Sequence, residues 1–176
     1  MRSDEVQPSP TVLISQDENH VLTRLGPVTL GIWRRCVELP RVTHQLEVQR
    51  EMLKTFARMG CINVVEATCR PLQSDVSQLL RSAAVEFRGR QHVVTVVESE
   101  GLVGTALRAL LTAVSAFQSR DMRSAIEADF RVGSRLMATA LADLPGAPNE
   151  ALLNATLVGL RSQIPEPAPR GIRRVV

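Results

Sequence analysis

The spacing of apolar and polar residues changes several times along the chain, and each change marks the end of one predicted element. Residues 11–15 and 20–35 are rich in apolar and β-branched side chains. The second run, HVLTRLGPVTLGIWRR, is interrupted by Gly26-Pro27, a pair that bends the chain and removes one ladder donor. We therefore expect a short strand, a polar turn and then a β-hairpin.

The segment after the hairpin has helical spacing. One face carries Leu46, Leu53, Phe56 and Met59, and the other carries Glu47, Gln49, Arg50, Lys54 and Arg58. This pattern predicts an amphipathic helix that ends at Gly60. A second helical pattern follows, with Ser74 as its candidate N-cap and Gly89 as its end.

The runs at residues 61–69 and 92–97 are short and β-branched, which predicts two buried strands. Residues 102–117 are apolar nearly all round, so a helix there must be buried in the domain or against a second copy. Residues 122–126 form a candidate edge strand. Two further helices are expected, one from an Asp129 cap to Leu144 and one from an Asn149 cap to about Ser162.

Alternating strands and helices imply right-handed crossovers and a mixed or mostly parallel sheet. We therefore expect an α/β domain over residues 11–162, with about four to five strands, helices packed on the sheet and an extra C-terminal helix. Residues 1–10 are expected to be a disordered leader. Residues 163–176 are expected to be a flexible tail rich in proline and arginine.

Composition narrows the class of protein. The 176 residues are 44% hydrophobic and 22% charged, which suits one globular core. No apolar stretch has the length and composition of a membrane span, and no secretory signal is recognisable, so we expect a cytoplasmic protein of bacterial type.

The net charge of +3 belongs to the end of the chain, which carries one acid, Glu166, and the arginines Arg161, Arg170, Arg173 and Arg174. The remaining chain is neutral and only 3% of residues are aromatic, which argues against nucleic-acid binding.

The run RLGPVTLGIWR, the two strand ends that read Val-Val-Glu and the run GLVGTALRALLTAV carry a resemblance to known proteins. With the element order, they resemble the STAS-like fold of bacterial anti-sigma-factor antagonists and small uncharacterised single-domain proteins of myxobacterial type. The resemblance covers Val12 to Leu144. It implies a regulatory module that contacts a protein partner.

In that family a phosphorylatable serine lies at a helix N-terminus inside an Asp-Ser-Ser-Gly-like turn. Here the turns read Thr68-Cys69-Arg70-Pro71 and Ser99-Glu100-Gly101. Neither reproduces the motif, and the acids on both sides of Ser99 would repel added phosphate. Gly101 also has a plain structural interpretation, because it permits a tight turn between a strand and a helix.

The repeated strand ending gives a second candidate site. If the two strands are parallel neighbours, Glu66 and Glu98 lie at the carboxyl edge of the sheet, where ligands of open α/β sheets bind. Paired carboxylates can perform general acid and base work, but strand-end glutamates also pair with arginines or simply face water. Cys69 precedes Arg70, which could lower the thiol pKa, although a semi-buried structural cysteine is the commoner case.

Two functions of different class follow from these residues. The first is a non-enzymatic regulatory or protein-interaction module, which uses a helix face or strand edge against a partner or a second copy. Its arginine tail, with Arg170, Arg173 and Arg174, would meet an acidic partner. The alternative is a small-molecule-binding protein or minor enzyme that uses the sheet edge, with Glu66, Cys69, Glu98, Ser99, Glu100 and Gly101. We identify no complete catalytic set, no metal ligands and no cofactor motif.

Overall fold

The computed structural model describes residues 10–67, 69–70, 72–98 and 123–164. Its six strands are β1 (Thr11–Gln16), β2 (His20–Leu25), β3 (Val28–Trp33), β4 (Met59–Val65), β5 (Gln91–Val97) and β6 (Arg123–Glu127). Its helices within these ranges are α1 (Leu39–Thr55), α2 (Ser74–Glu86), α3 (Phe130–Ala140) and α4 (Glu150–Gln163). The predicted α/β class is confirmed.

The strands form one mixed sheet in which spatial order equals chain order, from β1 to β6. β1, β2 and β3 are antiparallel, and β3, β4, β5 and β6 are parallel. The expected count of four to five strands was too low. Both edge strands are paired, β1 with β2 through a register shift between Leu13 and Ser15 and β6 with β5 along its whole length, so they extend the sheet at its two edges.

Each face of the sheet has its own core because strand side chains alternate between faces. α1 and α2 cover one face. They lie on the same face because each connects two neighbouring parallel strands in a crossover of the same hand. α3 and α4 cover the other face, where they bury a β-branched surface that includes Ile32, Ile62, Val64, Val94 and Val96. Among the described residues, no helix has both the length and the apolar character needed to cross a membrane.

The predicted end of the first helix was wrong. α1 ends at Thr55, and Phe56 already has an extended backbone. Gly60 lies inside β4, where it packs against α3 rather than ending a helix. A Cβ atom at Gly60 would overlap the Met137 sulfur and lie 2.9 Å from Leu141 Cδ1. The glycine is therefore required by the close approach of α3 to the sheet.

Two of the predicted helix caps are confirmed. Asp129 accepts a hydrogen bond from the Arg131 amide at 2.8 Å, and Asn149 accepts one from the Leu152 amide at 2.8 Å. Ser74 is the first residue of α2 rather than its cap. α3 ends at Ala140, before the expected Leu144. The helix predicted at residues 102–117 lies outside the described residues.

Candidate functional site

The carboxyl ends of β3, β4 and β5 meet at one edge of the sheet. Trp33 is in register with Val65, and Val65 is in register with Val97. Glu66 and Glu98, one residue further along, therefore follow neighbouring parallel strands at the same level. The repeated Val-Val-Glu ending is thus a real structural correspondence in the sheet.

Glu66 is committed to an ion pair within the protein. Arg34 Nε donates to Glu66 Oε2 at 2.9 Å, and the two side chains are only 11% and 17% exposed. Arg34 Nη1 also donates to the Ile164 carbonyl oxygen at 3.3 Å. A single guanidinium therefore links the ends of β3 and β4 to the residue after α4. Removal of Glu66 would leave a cation in a poorly solvated place, which is costly.

The negative charge of Glu98 is balanced by an arginine of α4. Its carboxylate accepts a hydrogen bond from Arg161 of α4. The guanidinium carbon of Arg161 lies 5.5 Å from the centre of the Phe130 ring, a cation–π distance. This pair is more solvated than the pair of Glu66, with side-chain exposures of 39% for Arg161 and 23% for Glu98.

The two glutamates are neighbours, but each has its own arginine. Two carboxylates that share a proton need to face each other without a nearby cation, because only then does their repulsion favour a protonated form. Here Arg34 and Arg161 compensate the two negative charges separately. The described geometry supports a structural role for Glu66 and Glu98 in fastening α4 to the sheet edge.

The cysteines near this edge are poor nucleophiles. Burial, together with the nearby Cys36 and Glu66, raises the pKa of Cys69 to about 11. The pKa of Cys36 is also raised, chiefly by burial and by a hydrogen bond to Glu38. The expected lowering of the Cys69 pKa by Arg70 is not found. Because the thiolate is the reactive form, Cys69 is an unreactive thiol at neutral pH.

Several residues named from the sequence lie outside the described residues. They are the turn residues Ser99, Glu100 and Gly101, and the tail residues Arg170, Arg173 and Arg174. The two interpretations of Ser99, Glu100 and Gly101, as part of a ligand site or as a tight turn between a strand and a helix, therefore both stay predictions.

Sequence reasoning missed an aromatic stack at the same edge. His20, at the start of β2, faces Trp33 across the hairpin, with ring centres 4.0 Å apart. Both imidazole nitrogens are buried and lack a hydrogen-bond partner within the described part of the chain. Burial, with a smaller contribution from His44, lowers the His20 pKa to about 4. The predicted turn at Gly26-Pro27 could have revealed this contact, because it sets the register that pairs His20 with Trp33.

A second missed feature is a buried polar layer between α1 and the sheet. Gln49 was predicted on the solvent face of its helix, but it is only 1% exposed. Its Nε2 donates to Thr29 Oγ1 at 3.0 Å, and its Oε1 accepts from Gln91 Nε2 at 3.0 Å. One turn earlier, Gln45 Nε2 lies 3.1 Å from both Asn63 Oδ1 and Cys61 Sγ. We call these six residues the glutamine layer: Thr29, Gln45, Gln49, Cys61, Asn63 and Gln91.

The glutamine layer has a structural explanation. Buried amides are costly unless they are hydrogen-bonded, and here the amides of Gln45 and Gln49 satisfy groups on three strands. The sequence does carry a signal for this layer. Cys61 and Asn63 alternate with apolar residues in β4 and so share one face of the sheet, and Gln45 and Gln49 are four residues apart and so share one face of α1.

The described residues contain no group of three or more histidine, cysteine, aspartate or glutamate side chains arranged to hold a metal ion. Comparison with known proteins finds no matching family model, no similar curated protein and no similar solved structure.

Proposed function

We propose that this protein is a non-enzymatic regulatory module of STAS-like fold that works through protein contacts. The observation that carries the proposal is the internal pairing of Glu66 and Glu98 at the edge where an α/β enzyme would hold its substrate. The high pKa of Cys69 points the same way. The two described carboxylates at this edge, Glu66 and Glu98, are used to hold the fold together.

The surface proposed for partner contact is the outer strand β1. Val12 is 41% exposed and Leu13 is 51% exposed, so an apolar side chain is accessible on each face of this strand. An edge strand also presents unpaired main-chain groups that another strand can use. The arginine tail, with Arg173 and Arg174, would add attraction for an acidic partner.

A matched pair of variants tests the proposal. Leu13→Lys places a charge on β1, and Val85→Lys places the same charge on α2, where Val85 is 64% exposed. We expect immobilised wild-type protein and the Val85→Lys variant to retain the same stoichiometric partner protein from a cell extract. The Leu13→Lys variant should lose that partner.

The alternative function, a small-molecule site at Glu66 and Glu98, predicts a different result. A ligand screen by thermal melting would then yield a compound that stabilises the wild-type protein. The same compound would leave the melts of the Glu66→Gln and Glu98→Gln variants unchanged. That outcome would refute the proposal that the protein is a non-enzymatic module.

A further inference from the structure

The segment that follows β4 turns and runs beside the segment that follows β3. The Glu66 amide donates to the Trp33 carbonyl oxygen at 2.9 Å, which extends the parallel pairing of the two strands by one residue. The Cys69 amide then donates to the Glu66 carbonyl oxygen at 2.9 Å and closes a turn. Next, the Arg70 amide donates to the Arg35 carbonyl oxygen at 2.8 Å. This last hydrogen bond joins the two segments beyond the ends of their strands.

Two cysteines are the neighbours of that hydrogen bond. Cys36 directly follows Arg35, and Cys69 directly precedes Arg70. Their Cα atoms are each within three covalent bonds of a bonded atom, so the two Cα atoms lie at most about 8 Å apart. The Cα atoms of most disulfides lie about 4.4–6.8 Å apart. A shift of about 1 Å in the loop that carries Cys69 therefore suffices to bring the pair into this range.

The two thiols are free, half-buried and within electrostatic range of each other. Burial is the largest cause of the raised pKa of Cys69, and the charge of Cys36 is the second. Each thiol makes one long hydrogen bond, Cys36 Sγ to Glu38 Oε1 at 3.5 Å and Cys69 Sγ to the Arg70 carbonyl oxygen at 3.6 Å. A thiol is a weak donor, so both sulfur atoms can leave these acceptors at little cost.

The third cysteine, Cys61, is enclosed in the glutamine layer. It is only 2% exposed. Its sulfur accepts hydrogen bonds from Gln45 Nε2 at 3.1 Å and from Asn63 Nδ2 at 3.2 Å. Cys61 is therefore held away from solvent, and the fold selects Cys36 and Cys69 as the pair that can react.

We propose that Cys36 and Cys69 form a reversible disulfide, which makes this edge of the sheet a site of oxidative modification. The oxidant is a small disulfide such as oxidised glutathione. The Cys36 thiolate attacks one sulfur of that molecule, displaces a small thiolate and forms a mixed disulfide. The Cys69 sulfur, after loss of its proton to solvent, attacks the Cys36 sulfur and displaces the second small thiolate. The protein loses two electrons and two protons, and the small disulfide becomes two thiols.

The raised pKa values of Cys36 and Cys69 slow the reaction but do not oppose its product. Little thiolate is present at pH 7, so exchange is slow. A dithiol protein is a strong oxidant when its reduced form is stabilised, and here burial destabilises both thiolates. The mixed disulfide also removes the charge of Cys36, which is one cause of the raised pKa of Cys69. The inference goes beyond the proposed function because the bond forms without a partner protein.

Equilibration of the full chain with oxidised and reduced glutathione at pH 8, followed by acid quenching and mass spectrometry, tests the inference. We expect the wild-type protein to lose two hydrogens without a gain of glutathione, and its peptides to be linked through Cys36 and Cys69. Dithiothreitol should remove the bond. The Cys61→Ala variant is the matched control and should form the same bond to the same extent. The Cys36→Ser and Cys69→Ser variants should lose it.

The same equilibration in concentrated urea separates the effect of the fold from that of the sequence. Cys61 is much nearer to Cys69 along the chain than Cys36 is, so loop closure in the unfolded chain favours the bond between Cys61 and Cys69. We therefore expect the pairing to change from Cys36–Cys69 in the folded protein to Cys61–Cys69 in urea.

Three results with the folded wild-type protein would overturn the inference. The first is glutathione on Cys36 without an internal disulfide, which would show that the two sulfur atoms cannot meet. The second is an internal disulfide that includes Cys61. The third is a chain that keeps all its thiols after equilibration. None of these depends on whether the Leu13→Lys variant loses a partner protein, so the two proposals can fail separately.

Discussion

The buried His20 imidazole should make the stability of this protein depend on pH. His20 has an ordinary pKa of 6.5 when unfolded and about 4 in the folded protein, where burial is the main cause. Between these two values the unfolded chain binds more protons than the folded chain. The free energy of unfolding must therefore fall as the pH falls from about 6.5 to about 4, and it is unaffected by His20 above that range.

The magnitude follows from the same two pKa values. Each pKa unit corresponds to about 1.36 kcal/mol, so the complete effect of His20 is about 3 kcal/mol. Most of it appears between pH 7 and pH 5, where linkage gives a loss of about 2 kcal/mol. The His20→Phe variant keeps a ring against Trp33 but cannot titrate. It should lose about 2 kcal/mol less than the wild-type protein over this range.

Urea unfolding at pH 7 and pH 5, followed by tryptophan fluorescence, measures this difference. Trp33 is the single tryptophan of the chain and contacts His20 directly, so its emission reports on the site. The His44→Gln variant removes the smaller cause of the lowered His20 pKa and leaves burial, the main cause, in place. It should therefore retain most of the wild-type dependence on pH, unlike the His20→Phe variant. If the wild-type protein and the His20→Phe variant lost the same stability between pH 7 and pH 5, the reasoning would be wrong.

Three other expectations follow from the described contacts. Gly60→Ala should destabilise the protein by about 1–3 kcal/mol because its new methyl group overlaps a methionine of α3. Gly159→Ala, in α4, places its methyl group in open space and should stabilise the protein by about 0.5–1 kcal/mol. Urea unfolding measures both changes. Glu66→Gln should cost about 2–3 kcal/mol because it removes the carboxylate that balances the charge of a poorly solvated arginine. Glu98→Gln, whose partner is more solvated, should cost less than about 1 kcal/mol, and equal losses would contradict this ranking. Alkylation of Cys69 by iodoacetamide, measured by mass spectrometry, should be slow at pH 7 and keep accelerating up to about pH 11. An ordinary thiol has a pKa of 9.0, so a rate that levels off by about pH 10 would contradict the raised pKa of Cys69.

The features that could be predicted from the sequence are those encoded by local residues. The pair Gly26-Pro27 marks the hairpin turn, and Asp129 and Asn149 begin their helices because a short polar side chain can bond the first free amides. The adjacency of Glu66 and Glu98 was also open to prediction, because parallel neighbouring strands end at the same edge.

The features that could not be predicted depend on residues far apart in the chain. Arg34 is 32 residues from Glu66, and Arg161 is 63 residues from Glu98. No local pattern indicates which of many arginines will reach a given carboxylate. Gln49 was misplaced for a related reason: its polarity suggests a solvent face, but hydrogen bonds to Thr29 and Gln91 make its burial favourable. Tertiary partners decided the role of each of these residues.

The separation of the helices between the two faces of the sheet has a consequence for synthesis on the ribosome. The first five strands can assemble in the order in which they emerge, since each pairs with the strand made just before it. The β-branched face that α3 and α4 cover nevertheless lacks both of these helices until residues 130–164 are translated. A nascent chain that stalls before that point leaves the apolar residues of this face without the partners they have in the folded protein, which favours aggregation, so the docking of α3 and α4 is a late step of folding.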